Sequence, residues 1–205
     1  MDRGALERRL DSAAGFADPQ VSLEQYPTPA DVAAHLLHFA AMQGDLAGRT
    51  VVDLGAGTGV LALGAACLGP ARVIALERDA DALATARENE PRIAPDAPVT
   101  WVRGDAVRPP FDTDDATVVM NPPFGAQTGR EGADRAFLAS AGDIAAVSHS
   151  IHNAGSRDFV ESFAADNGGT VTHAFRVRLA LDRQFAFHEA DRREVPALAV
   201  RIEWG

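Results

Sequence analysis

The chain has 205 residues and a hydrophobic fraction of 46%, which suit one domain with a core of its own. No stretch approaches the roughly 18–20 apolar residues of a membrane helix, and the first nine residues lack the apolar run of a secretory signal. The single cysteine, Cys67, excludes an intrachain disulfide and a cysteine metal cage. We therefore expect a soluble, cytoplasmic protein with no membrane contact and no metal site.

The charge is less ordinary. The formal net charge is −10, and all 19 basic residues are arginine. An enzyme that acts on nucleic acid normally carries a basic footprint, because phosphate contacts supply much of its affinity. The acidity therefore argues mildly against such a substrate. Two explanations would remove the conflict, and composition does not choose between them: a high-salt cytoplasm, or a partner subunit that supplies the basic surface.

Hydrophobic periodicity predicts six helices and seven strands. The chain opens with a helix over 2–14 and a second helix that follows Pro29 and ends near Gly44. Strands over 50–54, 72–77 and 99–103 then alternate with helices over 60–68 and 80–89, and a fourth strand spans 116–120. A helix over 133–141, a strand over 144–148 and a helix over 156–166 follow, and the last two strands, over 170–180 and 198–204, alternate in hydrophobicity.

Strands that alternate with helices predict an α/β fold with a mainly parallel, Rossmann-like sheet and helices on both faces. The last two strands alternate in hydrophobicity and predict an antiparallel pair at one edge. We find no repeat or linker, so residues 1–205 form a single domain. Residues 1–28 are expected to be an N-terminal extension that packs near the ligand site.

A glycine-rich loop joins the first strand to its helix and reads Asp53-Leu54-Gly55-Ala56-Gly57-Thr58-Gly59-Val60. Glycines allow a tight turn there, and they let backbone N–H groups approach a ligand at the helix N-terminus. The spacing is G-x-G-x-G, which differs from the G-x-G-x-x-G of dinucleotide sites. The alternative is a simple strand-to-helix turn.

Two acidic residues follow the next two strands. Glu77 ends the second strand, where a carboxylate can accept both hydroxyls of a ribose. Asp105, followed by Ala106, comes after the third strand and is placed to accept from an adenine amino group. Each alone could be an ordinary solvated residue. Together with the glycine loop they surround the crevice where open α/β sheets bind ligands, so they predict a nucleoside site.

The sharpest motif is Asn121-Pro122-Pro123-Phe124, which follows the fourth strand. An amino group on a planar ring or an amide is a poor nucleophile, because its lone pair is delocalised. The Asn121 side-chain oxygen and the Pro122 carbonyl can each accept one of its N–H bonds and aim the lone pair at a methyl carbon. Pro123 stiffens the turn, and Phe124 offers a face on which a base can stack. The alternative is a simple turn with Phe124 in the core.

With both loops placed, the chain resembles the class I methyltransferases that carry an Asn-Pro-Pro-Phe catalytic loop. More narrowly, it resembles the methyltransferase-like five family of ribosomal RNA adenine-N6 methyltransferases. Six segments carry the resemblance in the family's order, and they are Leu23–Thr28, Asp53–Val60, Met120–Gly125, Ala136–Leu138, Ser150–His152 and Phe187–His188. The first is the most specific, since general methyltransferases lack it.

The resemblance implies a seven-stranded class I methyltransferase sheet and S-adenosylmethionine as cofactor. It implies that Gln25 and Thr28 join the glycine loop and Asn121 around that cofactor, together with Glu77, Asp105 and Ala106. It also implies N6-methylation of one adenosine in small-subunit ribosomal RNA. The implied partner is a small zinc-binding activator protein, which forms a heterodimer by extending the sheet and burying apolar surface.

Other activities stay open at this point. N5-methylation of a glutamine side chain in a release factor poses the same chemical problem, although those enzymes typically have Tyr after the prolines and lack Leu23–Thr28 as written. A DNA adenine methyltransferase would need a target-recognition domain that is not evident. A catalytically dead scaffold would bind cofactor without turnover, but it would have no need for the intact Asn-Pro-Pro-Phe loop.

The sequence departs from the family pattern in the region expected to contact RNA. After Phe187-His188, where relatives continue with basic residues, come Glu189, Ala190 and Asp191. The nearest candidate for a phosphate-binding patch is a set of five arginines, and the alternative is a solvated strand face. They are Arg176, Arg178, Arg183, Arg192 and Arg193.

Three further features receive simpler interpretations. His149 and His152 follow an H-x-x-H spacing, but strand alternation places them on opposite faces and argues against a metal site. Cys67 is expected in the core. The polar, glycine-rich segment 125–132 follows the catalytic loop, and we interpret it as a candidate lid.

Overall fold

The computed structural model of the chain describes residues 1–20, 23–113, 115–124, 132–182 and 192–205. The helices of these residues are α1 (Arg3–Leu10), α2 (Ala30–Met42), α3 (Val60–Ala66), α4 (Ala80–Ile93), α5 (Ala133–Ile144) and α6 (Arg157–Asp166). The strands are β1 (Thr50–Leu54), β2 (Arg72–Glu77), β3 (Val99–Arg103), β4 (Ala116–Met120), β5 (Ala145–Asn153), β6 (Gly169–Asp182) and β7 (Arg192–Trp204).

All seven strands form one sheet in the order β3-β2-β1-β4-β5-β7-β6. The first five strands of this order run parallel to one another, whereas β7 is antiparallel to both β5 and β6. Strand order reverses between β1 and β4, so the carboxyl ends of these strands flank the crevice in which open α/β sheets bind ligands. The predicted sheet and its antiparallel edge pair are confirmed.

Alternate residues of the central strands pack into two separate cores, one on each face of the sheet. Val51 and Val119 join the helices α1–α4, while Val52 and Val118 join α5 and α6. Because both faces are covered, the central strands β1 and β4 are buried along nearly their whole length and are mostly apolar. The prediction of helices on both faces is therefore confirmed.

The helix and strand ends differ from the predicted ones in ways that have physical causes. α1 ends at Leu10 instead of residue 14, because the backbone N–H and C=O of Ala14 bond to the side chain of the buried Asn89 (2.8 and 3.0 Å). α4 runs past Asn89 and through Pro91 to Ile93, which is buried in the core and offsets the hydrogen bond that the proline removes. β5 is longer than predicted because it pairs with β7 as far as Asn153, and β7 is longer because it pairs with β6 from Arg192 onward.

A buried polar cluster ties the loop after α2 to the antiparallel strands. The Asp45 carboxylate accepts hydrogen bonds from Arg201 Nε (2.8 Å), Arg201 Nη2 (3.0 Å) and His149 Nε2 (2.7 Å). Burial raises the pKa of Asp45, but these donors outweigh it and hold the pKa well below its ordinary value. Burial also lowers the pKa of His149, so the ring is neutral and its Nε2–H donates.

Among the described residues, no helix is both long and apolar enough to cross a membrane. The same residues contain no group of three or more His, Cys, Asp or Glu side chains that could hold a metal ion. Cys67 is free and buried.

Candidate active site

The predicted ligand residues converge because three neighbouring parallel strands end at the same level. Leu54 of β1 pairs with Leu76 of β2 and with Met120 of β4. The residues that follow, which are the glycine loop, Glu77 and Asn121, therefore lie side by side at the carboxyl edge of the sheet. They line a cavity of about 200 Å³.

The glycine loop forms the floor of this cavity. Gly55 and Gly57 have positive φ angles of 74° and 55°, which favour glycine. A Cβ on Gly55 would stand 3.0 Å from the Phe137 ring, and a Cβ on Gly57 would stand 3.0 Å from the Phe16 ring. Two phenyl rings thus pack directly on the loop, and both rings also line the cavity.

Gly59 contributes to the loop without lining the cavity. It is the N-cap of α3 with a φ of 86°, and a Cβ there would lie 2.8 Å from Cη2 of Trp101. Its role is to let α3 start tightly against β3. Thr58 and Val60, on either side of it, do line the cavity.

Asp53 lies on β1 and is almost fully buried. Its Oδ2 accepts the backbone N–H of Ala62 in α3 (2.8 Å), whereas its buried Oδ1 has no hydrogen-bond partner among the described residues. Burial, with the nearby Glu77 adding repulsion, raises the pKa of Asp53 to about 8. Because Asp53 lines the cavity, a bound cation would favour its ionised form.

Glu77 is held in place by two backbone donors. Its Oε2 accepts from the Gly57 N–H and its Oε1 from the Asp79 N–H, both at 2.8 Å. A carboxylate has about four acceptor sites, so two remain for ligand hydroxyls. Asp105 is exposed beside the buried Ala106, and both line the cavity.

The Asn-Pro-Pro-Phe loop presents its first residue to the same cavity. The Asn121 Nδ2 donates to Thr28 Oγ1 (3.1 Å), while its Oδ1 is buried without a partner in the part of the chain that the structure describes. Pro123 lines the cavity, Pro122 is buried, and the half-buried Phe124 packs against the core on the α1–α4 side. Pro122 and Phe124 do not line the cavity.

Residues of the N-terminal extension also line this cavity. Gln25 donates from Nε2 to Asp79 Oδ2 (2.5 Å) at the end of β2 and accepts from the Gln20 N–H (2.7 Å). Thr28 bonds to Asn121 at the end of β4. Both residues line the cavity, as expected from the resemblance, but their polar groups contact protein atoms.

Comparison with known proteins gives the family. The model described as "Methyltransferase small domain" matches residues 28–156. An uncharacterized protein, MJ0284, from Methanocaldococcus jannaschii is 35% identical over 97% of this chain and 92% of its own length. The rRNA N(6)-adenosine-methyltransferase Mettl5 of Drosophila melanogaster is 32% identical over 98% of this chain and 95% of its own. The chain belongs to the Mettl5 family of methyltransferases.

Structural comparison agrees. The crystal structure of PH1948 from Pyrococcus horikoshii matches with a TM-score of 0.89 at 37% identity, over 100% of this chain and 98% of that one. As a family member the chain is an S-adenosylmethionine-dependent methyltransferase. This cofactor carries a sulfonium, an ammonium and a ribose, and the residues present fit it. The buried Asp53 Oδ1, which lacks a partner among the described residues, suits a positively charged group, and the Glu77 carboxylate retains acceptor sites for ribose hydroxyls.

Several residues of the methyltransferase site escaped the sequence analysis. Phe16, Leu23, Tyr26, Val107 and Phe137 line the cavity. Leu23, Tyr26 and Phe137 fall within segments that carry the family resemblance, so they could have been singled out. Phe16 has no motif around it, and only its contact with Gly57 reveals it.

The two histidines of β5 lie on opposite faces of the sheet, as strand alternation predicts. His149 bonds to Asp45 on the α1–α4 side, and His152 Nε2 lies 2.7 Å from Ser150 Oγ on the other. Burial lowers the pKa of His152 to about 4, so the ring is neutral at physiological pH. His152 does not line the cavity.

The arginine patch is only partly described. Arg176 and Arg178 are exposed on β6, and Arg178 forms a surface ion pair with Glu194 (3.4 Å). Arg183 lies outside the described residues, as do Phe187-His188, the acidic segment 189–191 and residues 125–131 of the candidate lid. The backbones of Arg192 and Arg193 pair with β6, while their side chains are not described.

Proposed function

We propose that this methyltransferase transfers a methyl group from S-adenosylmethionine to the N6 amino group of an adenosine in small-subunit ribosomal RNA. One observation carries the proposal: the Asn121 side chain offers a buried oxygen, unpartnered among the described residues, at the rim of the cofactor cavity. An exocyclic amino group is a donor that such an oxygen can accept. The rRNA N(6)-adenosine methyltransferase activity in the name of the Drosophila relative, which is 32% identical over nearly the whole chain, supports the same substrate class.

Chemically, Asn121 and Pro122 hold and activate the target nitrogen. The Asn121 Oδ1 and the Pro122 carbonyl each accept one N–H of the amine, so its lone pair is freed from the ring and directed at the methyl carbon. Phe124 stacks on the base, which must leave its own stack to reach the loop. S-adenosylmethionine supplies an electrophilic methyl group.

The cofactor is held by residues of four strand ends. We assign Glu77 to the ribose hydroxyls, Asp105 and Ala106 to the adenine, and Asp53 to the positively charged end. The backbone of the glycine loop approaches the cofactor through Gly55, Gly57, Thr58 and Val60, with Gly59 setting the start of α3. Gln25 and Thr28 complete the lining of the cavity.

RNA would approach over the antiparallel strands. The end of the β6–β7 ladder at which Asp182 pairs with Arg192 lies at the same edge of the sheet as Asn121, because β7 runs antiparallel to β5. Arg176 and Arg178 are exposed near this end and would bind phosphates, and Arg178 would do so at the expense of its surface ion pair with Glu194. These arginines make only this part of the surface basic, whereas the net charge of the whole chain is −10.

The negative net charge of the chain supports a partner protein that supplies basic surface. We propose a small zinc-binding activator that completes a heterodimer by adding a strand to one of the two edge strands, β3 or β6. The activator would cover unpaired backbone groups and contribute basic surface.

The test is methyl transfer from labelled S-adenosylmethionine to small ribosomal subunits and, separately, to a release factor. Each substrate is offered with and without a candidate activator, at low and high salt, and products are identified by mass spectrometry of nucleosides and peptides. We expect N6-methyladenosine in the RNA, greater yield with the activator, and a rate about 100- to 1,000-fold lower with Asn121→Ala. Methylglutamine on the release factor, with unmodified RNA, would refute the proposal.

A further inference from the structure

Asn89 is a fully buried side chain of α4 that does not line the cofactor cavity and that joins two distant parts of the chain. Its Oδ1 accepts the backbone N–H of Ala14 in the N-terminal extension (2.8 Å). Its Nδ2 donates to the backbone carbonyl of Ala14 (3.0 Å) and to that of Thr58 in the glycine loop (2.9 Å). Arg92 Nη1 also donates to Oδ1 (3.3 Å). One amide side chain thereby connects the extension to the glycine loop.

The partners of Asn89 fix the orientation of its amide group. A backbone N–H can only donate, a carbonyl oxygen can only accept, and an arginine guanidinium is likewise a donor only. Rotation of the amide by 180° would place Oδ1 against the carbonyls of Ala14 and Thr58, and Nδ2 against the Ala14 N–H. The observed orientation is therefore the one that satisfies every one of these partners.

The bond to Thr58 supports the glycine loop where α3 begins. Thr58 precedes Gly59, the N-cap of α3, so its carbonyl lies outside the hydrogen bonds of the helix, and Thr58 is buried. A buried carbonyl needs a partner, and Asn89 supplies it. α4 reaches the loop because Ala86, one turn before Asn89, lies against Gly59, where a Cβ would stand 3.1 Å from the Ala86 Cβ.

The bonds to Ala14 place the next part of the extension on the glycine loop. Two residues after Ala14, the Phe16 ring packs on Gly57, where a Cβ would stand 3.0 Å from the ring, and this ring lines the cavity. Hydrogen bonds from residues 9–12 to the end of α4 are longer (3.3 and 3.4 Å) and exposed. The buried bonds of Asn89 therefore set the position at which Phe16 joins the cavity wall.

We infer that Asn89 is a positioning residue for cofactor binding: it fastens the N-terminal extension to the glycine loop and so holds Phe16 on Gly57 in the wall of the cavity. The residue acts through Phe16 and the loop backbone, since its own side chain does not line the cavity. The inference rests on the proposed assignment of this cavity to S-adenosylmethionine, and it does not depend on the RNA substrate. Loss of the Asn89 amide should therefore weaken cofactor binding by the enzyme alone.

Three substitutions separate this role from a general contribution to stability. Asn89→Ala removes the amide and leaves its backbone partners without it. Phe16→Ala removes the ring through which Asn89 acts. Thr117→Val is the matched control, because Thr117 is buried in β4, does not line the cavity, and donates its hydroxyl to the backbone carbonyl of Asp45. That variant also loses a buried hydrogen bond from a side chain to a distant carbonyl.

Each variant is measured by urea unfolding, by calorimetric titration with S-adenosylmethionine, and by assigned ¹H–¹⁵N spectra of the cofactor-free protein. The Gly57 backbone N–H reports the position of Phe16, because an aromatic ring shifts the resonances of groups that it contacts. We expect Asn89→Ala to weaken cofactor affinity about 5- to 50-fold and to move the Gly57 resonance in the same direction as Phe16→Ala does. In the double variant, the two losses of affinity should combine to less than their product. Thr117→Val should keep cofactor affinity within about threefold and leave the Gly57 resonance in place.

The inference is overturned if folded Asn89→Ala binds cofactor within about threefold of the wild type, if its Gly57 resonance does not move, or if the two affinity losses multiply in full. An equal loss of affinity in Thr117→Val would also overturn it, because general destabilisation would then be the cause. Glu77→Ala separates these failures from that of the cavity assignment: normal cofactor binding by Glu77→Ala as well would refute the assignment itself. If Asn89→Ala does not fold, Asn89→Ser, whose side chain is one bond shorter than that of asparagine, replaces it in every measurement.

Discussion

Replacing Asp53 by asparagine tests the central electrostatic feature of the cofactor site. The pKa of Asp53 is raised from 3.8 to about 8, so between these pH values the folded chain holds a proton that the unfolded chain has released. The free energy of unfolding therefore falls by about 1.4 kcal/mol for each pH unit across this window and levels off above it. An asparagine side chain does not titrate, so this slope disappears from the Asp53→Asn variant.

This slope gives the expected difference in the free energy of unfolding between the variant and the wild type. From pH 5 to pH 8 the variant should gain about 4 kcal/mol relative to the wild type. An asparagine oxygen can still accept the Ala62 N–H, and the unpaired amide N–H that takes the place of Oδ1 adds a penalty that is the same at every pH. The prediction therefore concerns the slope and not the absolute stability.

The assay is urea unfolding of the cofactor-free protein at half-unit steps from pH 5 to pH 8. Asp166→Asn, at an exposed position of α6, is the matched control and should follow the wild type. If the wild-type and Asp53→Asn curves run parallel, Asp53 is ionised in the free protein and the reasoning from burial is refuted.

Three further outcomes are expected. Asn121→Ala should lower the single-turnover rate about 100- to 1,000-fold while calorimetric cofactor affinity stays within about threefold; a loss of binding would give the loop another role. Glu77→Ala should weaken cofactor affinity by about 10- to 100-fold, and unchanged affinity would remove Glu77 from the site. Gly59→Ala should destabilise by about 1–3 kcal/mol more in urea than Gly48→Ala, because both glycines have positive φ but only Gly59 faces Trp101. Equal losses would contradict the packing argument.

The sequence predicted the sheet well because its signals are local. Short apolar runs separated by helical periodicity defined β1 to β4 to the residue, and the carboxyl ends of those strands fixed where the ligand residues would meet. Gly55, Glu77 and Asn121 line one cavity for this reason. The elements that depend on distant partners, such as the end of α1 beside Asn89, were misplaced.

The finer geometry of the site could not be predicted for a similar reason. Gln25 and Thr28 were expected at the cofactor, and both line its cavity, but their polar atoms bond to Asp79 and Asn121. Such pairings join residues 54 and 93 positions apart. Neither periodicity nor a motif encodes them, because they depend on how the extension folds back over the sheet.

The placement of β7 has a consequence for how the chain is made. β7 follows β6 in sequence but lies between β5 and β6, which share no backbone ladder of their own among the described residues. Until a ribosome has synthesised β7, β6 has no neighbouring strand among the described residues, and it is an unpaired strand that chaperones or other nascent chains could bind. The β6–β7 ladder begins at the Asp182–Arg192 pair, whereas the Asp45 carboxylate gains the Arg201 guanidinium only when the last residues of β7 have been added.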